Sequence, residues 1–288
     1  MEYLINLGIL FCIYGVLALS LNMVVGMTGL LSLAPAAFYG IGAYATAIVM
    51  TEFGINFFVS LLIGAVLNIG VAYIVGRILS RFNAGYYAIV SAGLGIIVYS
   101  LLLNWKDLTN GPLGIFGIPK PSIFGFAIDS NAAFLGLAFV ILSLIFALYR
   151  WIDRSSYGRG LKAIREDEEL ATVMGYPVER FKNIIFLLSA VIAGVAGGLF
   201  ASYIAFIDPS TFQIHESIFL FTIIIIGGLA SSIGSIAGAL ILLSLPEILR
   251  FVGLPYETAA QLQQIIYGLA LILIMVYRPR GLFGKYRM

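Results

Sequence analysis

The sequence predicts an all-α integral membrane protein, a polytopic helical bundle of about nine transmembrane segments. Three observations predict it. Hydrophobic residues fill 61% of the 288 positions and charged residues only 10%, whereas a surface facing water needs about a quarter charged. Apolar runs recur at close to the ~20 residues that a helix needs to cross a bilayer. Those runs are continuous rather than alternating, which argues against a membrane barrel.

In chain order, the apolar stretches fall at about 3–25, 30–50, 57–79, 84–103, 131–151, 183–206, 216–232, 235–252 and 259–277. The first has no basic start, so it reads as a retained helix rather than a cleaved signal. It contains Cys12, the single cysteine of the chain. The seventh and eighth are joined by Gly227-Gly228-Leu229-Ala230-Ser231-Ser232-Ile233-Gly234-Ser235, with no charge to mark a surface. Such a link predicts broken or half-crossing helices, which membranes tolerate only where protein or a water-lined cavity satisfies the loosened backbone. A similar Gly/Ser-punctuated break at 26–40 reads as chance recurrence of small residues in membrane helices. Two polar segments interrupt the bundle. One, at about 104–130, is rich in turn residues; the other, at 153–183, holds the densest charge. The whole of 1–288 is expected to be one transmembrane domain.

Lysine and arginine collect on the cytoplasmic side of membrane proteins. With the N-terminus outside and nine crossings, the inner loops hold Arg77, Arg81, Arg150, Arg154, Arg159, Lys162, Arg165, Arg180, Lys182, Arg278, Arg280, Lys285 and Arg287. The outer loops hold only Lys106, Lys120 and Arg250. The expected orientation is therefore N-out and C-in, with 153–183 in the cytoplasm.

Chemistry is sparse. No G-x-x-x-x-G-K-[ST] loop occurs for nucleotide phosphates. His215, read as an outer-loop residue, is the only histidine, so with one cysteine no metal set can form. The chain reads as a non-enzyme without a cofactor, and its net charge of +2 gives no sign of nucleic acid. Charged groups inside the membrane mark ion-driven function, and this chain offers almost none, Glu247 and Asp208 standing near segment ends. The driving energy is expected to come from another protein.

Segment 153–183 is the place to receive it. Leu161 to Met174 reads as one helix with Leu161, Ile164, Leu170, Val173 and Met174 as an apolar stripe, stopped by Gly175 and Pro177. A short cytoplasmic helix with one apolar face suits a partner's groove; a solvated loop or a helix on anionic lipid are the alternatives.

Four segments carry a resemblance that spans most of the chain: LSLNMVVG at 19–26 running through GLLSL and AAFYGIGAY to 44; TNGPLGI at 109–115 with GIP at 117–119; YGR at 157–159 with AIREDE at 163–168 and Gly175; and YRPRGLFG at 277–284. In order and spacing they resemble the LivM-like permease subunit of branched-chain amino-acid ABC importers. One departure is Ala34-Pro35, where relatives often have Gly-His or Gly-Gln. The resemblance implies a bacterial or archaeal cell-membrane complex of this subunit, a related permease as heterodimer partner, two ABC ATPase subunits that hydrolyse ATP, and an extracytoplasmic substrate-binding protein. It also implies an E-A-A-x-x-x-G-like coupling helix, matched by Glu169-Leu170-Ala171-Thr172-Val173-Met174-Gly175 with Leu170 in place of one Ala. The expected ATPase-coupling residues are Tyr157, Gly158, Arg159, Leu161, Ile164, Arg165, Glu166, Glu169, Ala171 and Gly175.

An importer of this kind moves branched-chain or other hydrophobic amino acids inward by alternating access. A zwitterion leaving water needs polar partners beside apolar walls, which makes Asn22, Thr28, Ser32, Tyr44, Ser91 and Asn104 the candidate pathway residues. The same scaffold could carry urea, short amides or other amino acids, and a self-sufficient channel or secondary carrier is the more distant reading.

Overall fold

Each of the nine apolar runs folds as a helix, as it must where lipid offers backbone groups no partner. The computed structural model describes residues 2–82, 84–123, 126–128, 130–251, 256–278 and 281–284. The helices that correspond to the nine runs are α1 (Glu2–Thr28), α2 (Pro35–Glu52), α3 (Phe57–Leu79), α4 (Ala84–Asn104), α6 (Asn131–Arg154), α9 (Val178–Ile204), α10 (Ile214–Gly227), α11 (Ser232–Phe251) and α12 (Tyr256–Tyr277). Three short helices lie between them: α5 (Lys106–Thr109), α7 (Ser156–Glu166) and α8 (Glu168–Val173). Arg280, Lys285 and Arg287, counted above for orientation, lie outside the described residues.

Nine helices are not nine confirmed spans. Among the described residues, five helices are long and apolar enough to cross a membrane: α1, α3, α4, α6 and α9. A sixth span arises if α10 and α11, bent by 117° at their break, count as one. The difference has a physical source. α2 is buried along most of its length, so Tyr39, Gly40, Gly42, Tyr44 and Thr46 face protein, and it does not need the hydropathy of a lipid-facing helix.

The centre of the bundle is α9, packed against α1, α2 and α3 through small residues. Gly194 lies against the backbone of Gly42 and beside the Asn68 amide, and Gly197 lies against the Tyr39 carbonyl. Without a hydrophobic drive between helices in lipid, such backbone approach is what holds them together. The Ser20 hydroxyl adds a hydrogen bond to the Ser189 carbonyl (2.9 Å), fastening α1 to the same helix. Gly197→Ala should force α2 and α9 apart and destabilise the subunit by about 1–3 kcal/mol; a thermal melt in detergent reads this directly.

Helix directions follow from the contacts. Gly8 and Gly15 of α1 meet Leu135 and Leu142 of α6, so these two run parallel. Gly76 of α3 meets Asn183 and Phe186 near the start of α9, so those two run antiparallel. At the far end, the turn-rich segment is more ordered than its composition suggests. Strand β1 (Ile115–Phe116) pairs antiparallel with β4 (Phe206–Ile207), and β2 (Ser122–Ile123) pairs with β3 (Phe126–Ala127). Thr109 Oγ1 bonds the Leu102 carbonyl (2.7 Å). Asn110 takes the left-handed conformation (φ 58°), and the Gly114 backbone sits directly under the Ile207 carbonyl. The TNGPLGI motif is thus a locked turn. Asp208, expected near a segment end, caps a short 3₁₀ turn by accepting the Ser210 N–H (2.7 Å).

Candidate functional site

Two interrupted helices meet inside the bundle. α1 ends at Thr28 and α2 begins at Pro35; α10 ends at Gly227 and α11 begins at Ser232. The two breaks touch, with Gly26 against the backbone of Ala230. Each break exposes the orphan amides and carbonyls of helix ends, and buried orphans must find partners.

At the second break the partner is Asn22, fully buried in α1. Its Oδ1 accepts the Ala230 N–H (2.9 Å), while Nδ2 donates to the Ser235 hydroxyl (2.6 Å) and the Ser231 carbonyl (3.1 Å). The far end of the chain supplies the rest. The N–H groups of Leu282 and Phe283 donate to the Ile226 and Gly227 carbonyls (3.0 and 2.9 Å). The YRPRGLFG motif therefore caps α10 from another part of the sequence, and Gly281 and Gly284 permit the backbone to come against Gly228.

The first break is satisfied in the same manner. Thr28 Oγ1 donates to the Val24 carbonyl (2.7 Å) and accepts the Leu30 N–H (3.3 Å). Ser91 of α4 accepts the Leu33 N–H (2.9 Å), Ser32 accepts the Ala34 N–H (3.4 Å), and Ser217 of α10 accepts the Ala36 N–H (3.1 Å). Pro35 stands at the start of α2, where its missing N–H costs nothing and its φ suits a helix. The Ala34-Pro35 departure thus makes a pre-set helix start.

Four of the six candidate pathway residues, Asn22, Thr28, Ser32 and Ser91, are accordingly hydrogen-bonded to the backbone of the breaks. Tyr44 is buried, its ring against Phe212 at 5.9 Å, and its hydroxyl has no hydrogen-bond partner among the described residues. Asn104 is set apart from these five. It bonds the Ser100 carbonyl (2.8 Å) and stands on an exposed face of α4 with Ile96, Ile97 and Leu101, next to Trp105.

The cytoplasmic helix expected over Leu161 to Met174 is two helices. Asp167 is extended (φ −154°, ψ 107°); its N–H closes α7 on the Ala163 carbonyl, and its side chain accepts the Leu170 N–H (2.9 Å) to start α8. Asp with acidic neighbours in the next turn is an N-terminus signal inside what looked like a continuous run. The break also divides the apolar stripe. Leu161 and Ile164 are buried, whereas Leu170, Val173 and Met174 are 51%, 84% and 67% exposed.

Below that exposed face the segment is firmly built. Ala171 packs with Ile164, Val178 and Phe181 in a small core of its own. Tyr157 stacks on Phe181 (4.7 Å) and donates to its carbonyl (2.7 Å); burial pushes the Tyr157 hydroxyl up from its ordinary range. Gly158 fits under the Ile152 carbonyl and Gly160 under the Phe181 and Tyr176 rings. Arg159, Glu166 and Glu169 are exposed, Arg159 bonding Ser156 (2.9 Å). Arg165 points the other way. Its guanidinium donates to the Gly26 carbonyl, and its stem lies on Gly29. α8 ends in a Schellman motif: Gly175 at φ 86°, its N–H to the Thr172 carbonyl and the Tyr176 N–H to the Ala171 carbonyl (3.0 and 3.1 Å). Gly175→Val should cost about 1–2 kcal/mol for a side chain forced left-handed, read as faster local hydrogen exchange in α8 with the subunit still in the membrane.

Residues 3–275 match the family model described as branched-chain amino acid transport system / permease component. The chain belongs to that permease family. It is 34% identical to the high-affinity branched-chain amino acid transport system permease protein LivM of Escherichia coli, over 98% of this chain and 70% of that one. It is 26% identical to the probable LivM permease of Methanocaldococcus jannaschii (96% and 91% covered). To the BraD permease of Pseudomonas aeruginosa it is 24% identical (94% and 92% covered). No solved structure matches it.

The permease also holds a carboxylate that the sequence reading passed over. Glu216, the first residue of the apolar run at 216–232, stands in the first turn of α10, and so does His215, read above as an outer-loop residue. Tyr14 of α1 lies close to it, and its Oε1 is buried without a partner among the described residues. The only signal was its position at the head of an apolar run.

Proposed function

We propose that this permease is one membrane subunit of an ATP-driven importer that moves branched-chain and related hydrophobic amino acids into the cytoplasm of a bacterial or archaeal cell. The single observation that carries the energy-coupling part is the exposed Leu170, Val173 and Met174 face on α8. Three large apolar side chains on one short, buttressed helix have no reason to face water unless a partner covers them. The substrate class is supported by the relatives, which are named as branched-chain amino acid transport permeases.

In this reading the permease pairs with a related permease, two ATPase subunits and an extracytoplasmic binding protein, and 153–183 is its cytoplasmic coupling segment. The N-out, C-in orientation is supported by the asymmetry of lysine and arginine and by the contacts that gather Arg165, the end of α1 and residues 281–284 toward the same region of the bundle. Closure of the ATPases moves α8; Tyr157, Gly158, Leu161, Ile164 and Ala171 keep α7 and α8 one body. Arg165 passes the displacement to the end of α1, where the two breaks meet. Broken helices with their ends bonded to neighbours can exchange partners without exposing orphan groups to lipid, which suits alternating access. The pathway runs past the breaks, with Tyr44 as a lining candidate and Asn22, Thr28, Ser32 and Ser91 as its frame; Asn104, on an exposed face away from the breaks, is left out of it.

Purification tests the proposal. ATPase subunits should co-purify with the permease, and the reconstituted complex should take up leucine with ATP when the binding protein is present. Uptake of urea or short amides in place of leucine would move the system to another substrate class on the same scaffold.

A further inference from the structure

Lys182 is a lysine that bundle packing does not need. It lies one turn inside α9, with a side chain only 1% exposed. Its ammonium meets Glu168 Oε1 at 2.5 Å, and Glu168 is the first residue of α8. The partner of this buried charge is thus on the helix that carries the exposed Leu170, Val173 and Met174 face, while Lys182 itself is on the helix that contacts α1, α2 and α3 through Ser189, Gly194 and Gly197.

We propose that the Glu168–Lys182 ion pair is a mechanical joint, a positioning pair that makes α8 and α9 move together so that the ATPase stroke enters the bundle through α9. A buried ammonium is stable only while paired, and losing one partner leaves an uncompensated charge. Displacing α8 without α9 would strip Lys182 of its counter-ion. The joint therefore resists slippage in a way that the small contact of Ala171 with Val178 and Phe181 does not. Arg165 holds α7 to α1 by a separate bond; the ion pair gives α8 its own direct link to the centre of the bundle.

This inference rests on the coupling role proposed for α8, and the test separates the two. In the full reconstituted importer, with the permease carrying Cys12→Ser to remove its own single thiol, Glu168→Cys and Lys182→Cys are introduced together, and the same complex without these two cysteines is the thiol-reagent control. The ratio of amino acid transported to ATP hydrolysed is then measured before and after bridging the thiols with a short bis-methanethiosulfonate. Unbridged, the complex should keep its ATPase subunits and hydrolyse ATP, with the transport ratio down about tenfold, within the usual span of coupling effects. Bridging should restore the ratio, and reduction should abolish it again. An unbridged ratio equal to that of the Cys12→Ser parent overturns the joint. So does a lowered ratio that bridging leaves unchanged, since the pair would then serve folding alone. Failure of the coupling role itself shows elsewhere, as unchanged ATPase association when Val173 and Met174 are made acidic.

Discussion

Replacing Val173 and Met174 together with glutamate should abolish ATPase association while the permease still inserts. Both side chains are mostly exposed on α8, so nothing in the fold depends on them. Covering each by a partner is worth about 1.5–3 kcal/mol. Losing both, and placing carboxylates where an apolar groove would close, should weaken the contact by about 3–5 kcal/mol, or a hundredfold and more. Co-purification at stepped dilution measures this, with membrane insertion of the variant as the control. Retained association at parental dilution would mean that the face meets lipid or water instead.

Asn22→Leu should damage the bundle itself. The side chain answers the Ala230 N–H, the Ser231 carbonyl and the Ser235 hydroxyl at once. Leucine answers none of them. With Ser235 still bonded to the Ser231 carbonyl (3.2 Å), two groups remain stranded: the Ala230 N–H and the Gly228 carbonyl, which Asn22 Nδ2 also reaches (3.5 Å). At about 1–3 kcal/mol for each buried group left unmade, the loss is about 2–6 kcal/mol. It should appear as a lower melting temperature of the purified subunit and as new protease sensitivity at 228–231. Asn22→Asp should recover only part of this, since it accepts from Ala230 but cannot donate to Ser235.

The helices were legible because their cause is local. A run such as 131–151 must bond its own backbone in lipid, and its length shows in the composition. What could not be read was which polar residue answers which break. Asn22 and Ser235 are 213 positions apart, and Leu282 caps a carbonyl of Ile226 from beyond two further helices; neither pairing leaves a periodic trace. The polar residues of 22–32 and Ser91 were recognisable as important, but a residue that binds a solute and one that binds a backbone amide look alike in sequence. The break at Asp167 could have been found, since Asp three residues before Leu170 with two glutamates following is a helix start. The surrounding helix formers concealed it. Lys182 was counted only as a cytoplasmic positive charge, and nothing in its neighbourhood announced that it would be buried.

The most direct measurement is solute accumulation by the purified permease in liposomes, with and without its nucleotide-hydrolysing subunits. If force arrives through α8 from another protein, the permease alone should concentrate no amino acid under any proton or sodium gradient, and the full complex should do so when ATP is added. Accumulation by the lone subunit driven by an ion gradient would contradict this and would turn attention to Glu216 as the ion-binding carboxylate.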